Sequence, residues 1–301
     1  MCANQMTTEH ADKQFVDLDA RPLADAIAAM WQGQVHAVAA VRPALPSIAR
    51  AVAKAAAVLG ERGRLVYVGA GTSGRVAVQD GSELPPTFNW PARRVVFAIA
   101  GGPRAFVRSV EGAEDDAVAG ANAMRRLRIG PSDVVIGVAA SGTTPFTVAA
   151  IREARRHNAL TLGIASNRAT PLLKAAAHAI LVETGSEAIA GSTRMKAGTA
   201  QKIVLNLVST GIMLRLGRVY RGRMVNMRPT NEKLRKRAVA MVAEFGVCTR
   251  AEASVALDRT KGDIKLAVLL RAGLALAPAR ALLKRHAGRL RAAMAAIGAD
   301  A

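Results

Sequence analysis

The chain has 301 residues and carries 42 Arg and Lys against 22 Asp and Glu, a net charge of +20; 51% of its side chains are hydrophobic and only 3% aromatic. That length allows one large domain or two modest ones with a real core. No apolar run reaches the roughly 18 residues of a membrane span, and Cys2 and Cys248 are too far apart in sequence to suggest a disulfide framework or a metal knuckle.

The opening "MCANQMTTEHADKQF" lacks the apolar stretch of a secretory signal, so the cytoplasm is expected. From about Pro22 to Arg62, apolar residues recur at three- and four-residue spacing, which predicts helix. Pro43 and Pro46 divide it into two helices. Next comes "GRLVYVGAGTSGRVAV", a short β-rich run, a glycine turn and a helix start. The grammar repeats in "RRVVFAIAGG", in "SDVVIGVAASGTTPFTVAAIREARRHN", in "ALTLGIASN" and in "HAILVETGSE". Five short apolar strands alternating with helices predict an α/β fold, a doubly wound parallel sheet with helices on both faces. In such sheets ligands bind beyond the carboxyl ends of the strands. From "TRMKAGTAQK" onward the chain reads as helix to its end.

The charge is uneven. From Arg215 to the end there are 19 Arg and Lys against 6 Asp and Glu. A solvated helical surface written with Arg explains this. Nucleic-acid binding is not expected, because few aromatics are available to stack bases and no reader motif is present.

Two loops share one chemistry. Gly69, Gly71, Thr72, Ser73 and Gly74 follow one strand; Ser141, Gly142, Thr143 and Thr144 follow another. Each sets backbone N–H groups and hydroxyls at a helix start, where the dipole favours an anion. "GAGTSG" fits the dinucleotide fingerprint, but the second strand ends in glycines rather than the acidic residue that would hold a ribose, and no Walker lysine follows. A sugar phosphate suits the pair of loops better; a capped helix without ligand is the plain alternative for either alone.

Five motifs carry a resemblance: "YVGAGTSGR…DGSELPPTF", "VEGAEDD", "VVIGVAASGTTP", "GSTRMKAGTAQK" and "TNEKL". Together they resemble the N-acetylmuramic acid 6-phosphate etherases, which use the sugar isomerase (SIS) domain. The likeness is weak from Thr8 and strong from Val66 to Leu234. It implies an N-terminal helical segment over 1–55, an SIS sugar-phosphate-binding domain over 56–225 and a small helical, ubiquitin-associated-like domain over 226–301. This chain departs from the family at Gly81, Leu84 and Thr143, where Ala, Cys and Arg are usual. Ala11-Asp12 stands where the family has Arg-Asn.

The resemblance implies a lyase that needs no cofactor or metal and works as a homodimer. The family's reaction cleaves the ether between C3 of the sugar and D-lactate. In the ring-opened sugar, C1 is an aldehyde and the C2 proton is acidic; the lactyl ether is β to the developing carbanion and leaves; water then adds. One group must take the C2 proton and another must protonate the departing oxygen. The resemblance gives the second role to Glu83 and the first to Glu114; Glu187, in a place similar to that of the base in glucosamine-6-phosphate synthase isomerase domains, is the alternative base. The chemistry of the two loops assigns Thr72, Ser73, Ser141, Thr143 and Thr144 to substrate binding, and Ser82, Glu187 and Lys196 from the neighbouring motifs are expected to join them. Ser192 and Thr193 are expected to cap the helix that follows them. Two other readings share the pocket: an SIS aldose–ketose isomerase, and a non-catalytic regulator that senses a sugar phosphate.

Overall fold

The computed structural model describes residues 7–299, so Cys2 lies outside it. The described residues form two compact units. One holds residues up to Ser82 together with Ala92–Gly211, the other Glu83–Pro91 together with residues from Ile212 onward.

In chain order the elements are α1 (Leu23–Ala39), α2 (Leu45–Leu59), β1 (Leu65–Gly69), α3 (Gly71–Ser82), α4 (Leu84–Phe88), β2 (Val95–Ile99), α5 (Ala117–Arg126), β3 (Val134–Val138) and α6 (Pro145–Arg156). Then come β4 (Leu160–Ala165), α7 (Pro171–Ala175), β5 (His178–Leu181), α8 (Lys196–Arg215), α9 (Glu232–Phe245), α10 (Arg250–Arg259), α11 (Ile264–Arg271), α12 (Leu276–Arg285) and α13 (Leu290–Ala295).

In the first unit the five strands pair in parallel in the order β2-β1-β3-β4-β5, the sheet expected from the sequence. Every residue of β1 and β3 is buried, which is why they read as unbroken apolar runs. The prolines divide the early helices as expected: Pro43 lies in a 3-10 turn and Pro46 in the first turn of α2, where no helix bond is lost. α2 buries Ile48, Val52, Ala55 and Leu59 on one face. α1 buries only Ala26, Gly33 and Ala37, and leaves Leu23, Ile27, Trp31, Val35 and Val38 exposed.

Two polar arrangements hold the helices of this unit, one to the sheet and one to each other. Tyr67 on β1 donates its phenol to Asp80 Oδ2 at 2.9 Å. Asp80 Oδ1 accepts from Asn206 Nδ2 at 2.6 Å and from Ser209 Oγ at 3.0 Å. A buried carboxylate thus ties β1, α3 and α8 together with its lone pairs satisfied. Burial, with the Asp80 charge beside it, pushes the Tyr67 phenol well up. Between α5 and α6, Glu153 accepts from Arg125 at 2.7 Å and Arg156 at 3.2 Å, and the Arg125 guanidinium leads in holding its carboxyl down to about 2.

The second unit packs α9–α13 around Tyr220, Met227, Met241, Phe245, Leu257, Leu269 and Leu290. "TNEKL" is a helix start: the Asn231 side chain accepts from the Leu234 N–H at 2.9 Å. Thr249 and Glu252 form a reciprocal capping box on α10. Among the described residues no single helix is long and apolar enough to cross a membrane.

Candidate active site

β1 and β3 are parallel neighbours, so the hydroxyl loops that follow them open at the same carboxyl edge. The strand order reverses between these two strands, and such a switch point is where open α/β sheets leave a crevice. In the first loop the chain passes close to itself: a Cβ on Gly69 would stand 2.9 Å from the Gly74 nitrogen. Only glycine permits α3 to start that near β1. Thr72 is half-buried and Ser73 buried. In the second loop Gly142 takes a φ of +71°, and the Thr143 N–H donates to Ser141 Oγ at 3.2 Å. Thr144 holds the cap position of α6, yet its hydroxyl does not cap the helix.

The acidic stretch "VEGAEDD" is a turn rather than a helix face. Asp116 ends it by capping α5, accepting from the Ala119 N–H at 2.7 Å. The Glu114 carbonyl accepts from the Phe146 N–H at 3.0 Å, which fixes Glu114 beside the start of α6 and so beside the second loop. A cavity of about 470 Å³ lies against the first loop; Gly71, Thr72, Arg75, Ser109, Glu111 and Glu114 line it. Hydroxyl loop and carboxylate therefore face one space, large enough for a monosaccharide derivative.

Other expected residues stand elsewhere. Ser82 ends α3, exposed, with its hydroxyl donated to the Gln79 carbonyl at 3.0 Å. Glu83 is the cap residue of α4 in the second unit; it is exposed and its side chain makes no cap bond. Pro85 and Pro86 stiffen the first turn of α4, and Arg218 donates to the Phe88 and Asn89 carbonyls at 2.8 and 2.9 Å. The same guanidinium lies 4.9 Å from the Trp90 ring centre.

Glu187 is fully buried, and its two oxygens accept from the backbone N–H groups of Lys196 at 2.8 Å and Ala197 at 2.9 Å. It caps α8 across a nine-residue return of the chain. This corrects the expectation for Ser192 and Thr193, whose hydroxyls do not make that cap. Lys196 is buried too, donating Nζ to the Ser186 carbonyl at 2.7 Å, and burial pushes its ammonium down against the pull of Glu187 and Asp12. Neither Glu187 nor Lys196 lines the cavity that holds Glu114.

Comparison with known proteins places this arrangement. A profile of the glucokinase regulatory protein N-terminal SIS domain matches residues 47–155, and the SIS domain profile matches residues 116–210. The N-acetylmuramic acid 6-phosphate etherase of Deinococcus radiodurans is 47% identical over 285 residues, covering 94% of this chain and 93% of the relative. The chain belongs to the N-acetylmuramic acid 6-phosphate etherase family. The Salmonella typhimurium etherase is 44% identical over 96% of this chain and 98% of its own length. The etherase of an Enterobacter species is 43% identical over 98% of this chain and 99% of its own.

Within an etherase fold the sequence motifs reveal the loops and carboxylates but not their supports. Asp80 and Arg218 depend on partners far along the chain, and the capping role of Glu187 depends on a nine-residue return. The one local signal for Asp80 is a carboxylate between the apolar positions of α3.

Proposed function

We propose that the protein cleaves the D-lactyl ether of N-acetylmuramic acid 6-phosphate, giving N-acetylglucosamine 6-phosphate and D-lactate. The observation that carries this reading is the cavity shared by the Thr72 loop and Glu114 at the edge of the sheet. The phosphate is bound by the hydroxyls and N–H groups of the two loops. Glu114 takes the C2 proton of the ring-opened sugar. Electrons move into the C2–C3 bond as the C3–O bond breaks, and Glu83 gives its proton to the departing lactyl oxygen. Glu83 then takes a proton from the water that adds at C3, and a proton returns to C2. Glu187 is set aside as the base because it is committed as the cap of α8 and does not line the cavity that holds Glu114. Lys196 supports the site by fixing the Ser186 carbonyl.

Two copies of the chain form the working unit, and α1 supports this: its exposed apolar stripe contains no Arg or Lys in a chain of net charge +20. The reaction belongs to the cytoplasm, where charge retains sugar 6-phosphates. The test is release of D-lactate from N-acetylmuramic acid 6-phosphate by the purified protein. Stoichiometric lactate and N-acetylglucosamine 6-phosphate support the reading. Tight binding of the sugar without lactate would leave a regulator instead.

A further inference from the structure

The cavity that holds Glu114 contains a charge that the proposed lyase steps leave unused. Arg75 lies near the start of α3, lines the cavity with Glu111 and Glu114, and is its one lining cation among the described residues. Its Nε donates to the Ala105 carbonyl at 3.0 Å, which fixes the plane of the guanidinium. Among the described residues Arg75 has no acidic partner, although two carboxylates line the same space. A cation close to the positive end of a helix is disfavoured by the dipole, so helix stability does not explain this residue. An anion arriving from solution would satisfy it.

Resting on the proposed etherase reading, we infer that Arg75 is the receptor for the carboxylate of the leaving D-lactyl group and sets the enzyme's preference for an acidic ether. The substrate carries two anionic groups. Its phosphate has two hydroxyl loops available; its carboxylate has none. The carboxylate hangs from C3, next to the carbon at which Glu114 works, whereas the phosphate sits at C6. A guanidinium held at one nitrogen keeps its other two for a paired, bidentate grip on a carboxylate. That grip also offsets the repulsion the lactyl carboxylate would meet from Glu111 and Glu114.

The test compares wild type, Arg75→Lys and Arg75→Gln on N-acetylmuramic acid 6-phosphate and on the 3-O-ethyl ether of N-acetylglucosamine 6-phosphate, which lacks only the carboxylate. Formation of N-acetylglucosamine 6-phosphate reports turnover of both. Calorimetric binding of N-acetylmuramic acid 6-phosphate and of N-acetylglucosamine 6-phosphate reports recognition apart from chemistry. In Arg75→Gln, kcat/KM for the lactyl ether is expected to fall about 10- to 100-fold, the scale of a charge-assisted contact, with little change for the ethyl ether. Binding of the carboxylate-bearing sugar should weaken by a similar factor while binding of the other sugar holds, and Arg75→Lys should lie between. Equal losses on both sugars would give Arg75 to the shared phosphate and overturn the inference. Unchanged behaviour on both would overturn it as well. If wild type cleaves neither ether, the lyase reading fails, and the binding comparison alone decides the role of Arg75.

Discussion

Three glutamates in this chain differ in what their oxygens are free to do. Glu114 and Glu83 are exposed with carboxylates available, whereas Glu187 is buried as a helix cap. Their glutamine variants should therefore separate. Glu83→Gln removes the transferable proton, so lactate release should fall about 10²-fold or more while exchange of the C2 proton with solvent persists. Glu114→Gln should abolish both. Glu187→Gln should lower the melting temperature, because an amide replaces a charged cap at the positive end of α8, and exchange should survive. NMR of C2 exchange beside lactate assays reads all three; loss of exchange in a folded Glu187→Gln with exchange kept in Glu114→Gln would reverse the assignment. Thr72 and Ser141 stood out as residues because glycine turns and hydroxyls have local chemistry, whereas Glu114 was singled out only by the family resemblance. The cap made by Glu187 was not, since it needs the chain to return from position 187 to position 196, and short-range capping rules look only three residues ahead.

At the scale of elements, the five strands and the two early helices could be read from period and proline placement alone. The sequence showed the helical C-terminal third but not what ties its helices. Lys265 on α11 is a main tie: its buried ammonium donates to the Gly217 carbonyl, two residues beyond α8, at 2.8 Å, and to the Gly288 carbonyl beyond α12 at 2.5 Å. Burial, aided by the nearby Arg218 and opposed by Asp263, pushes it down to about 8. The unfolded chain holds this proton to higher pH than the folded one. Between about pH 8 and the ordinary lysine value of 10.5 the unfolded state therefore binds more protons, and stability should rise with pH. The neutral amine keeps its donors, so the bonds survive. Urea unfolding followed by the fluorescence of buried Trp90 should show this slope in wild type and a flatter one in Lys265→Met. Identical slopes in the two proteins would mean that Lys265 does not titrate in this range.

At the scale of the whole molecule, surface chemistry divides between a basic C-terminal third and the apolar face of α1, which carries no Arg or Lys. Leu23, Ile27 and Trp31 are 74%, 53% and 59% exposed, more large apolar surface on one helix than a monomer ordinarily leaves to water. Sedimentation should give twice the chain mass of 31.4 kDa for wild type, and Ile27→Glu with Trp31→Glu should shift it to the monomer. A wild-type monomer at micromolar concentration would refute pairing through this face.

The proposed chemistry stands on one event: the C3–O bond breaks by elimination across C2 and C3, and water is then added. Running the reaction in deuterium oxide enriched in oxygen-18, with both products read by mass spectrometry and NMR, follows every atom of that event. Elimination and hydration should give N-acetylglucosamine 6-phosphate with deuterium at C2 and the heavy oxygen at C3, and lactate that keeps its original ether oxygen. Heavy oxygen in the lactate, or a sugar product without deuterium at C2, would contradict it.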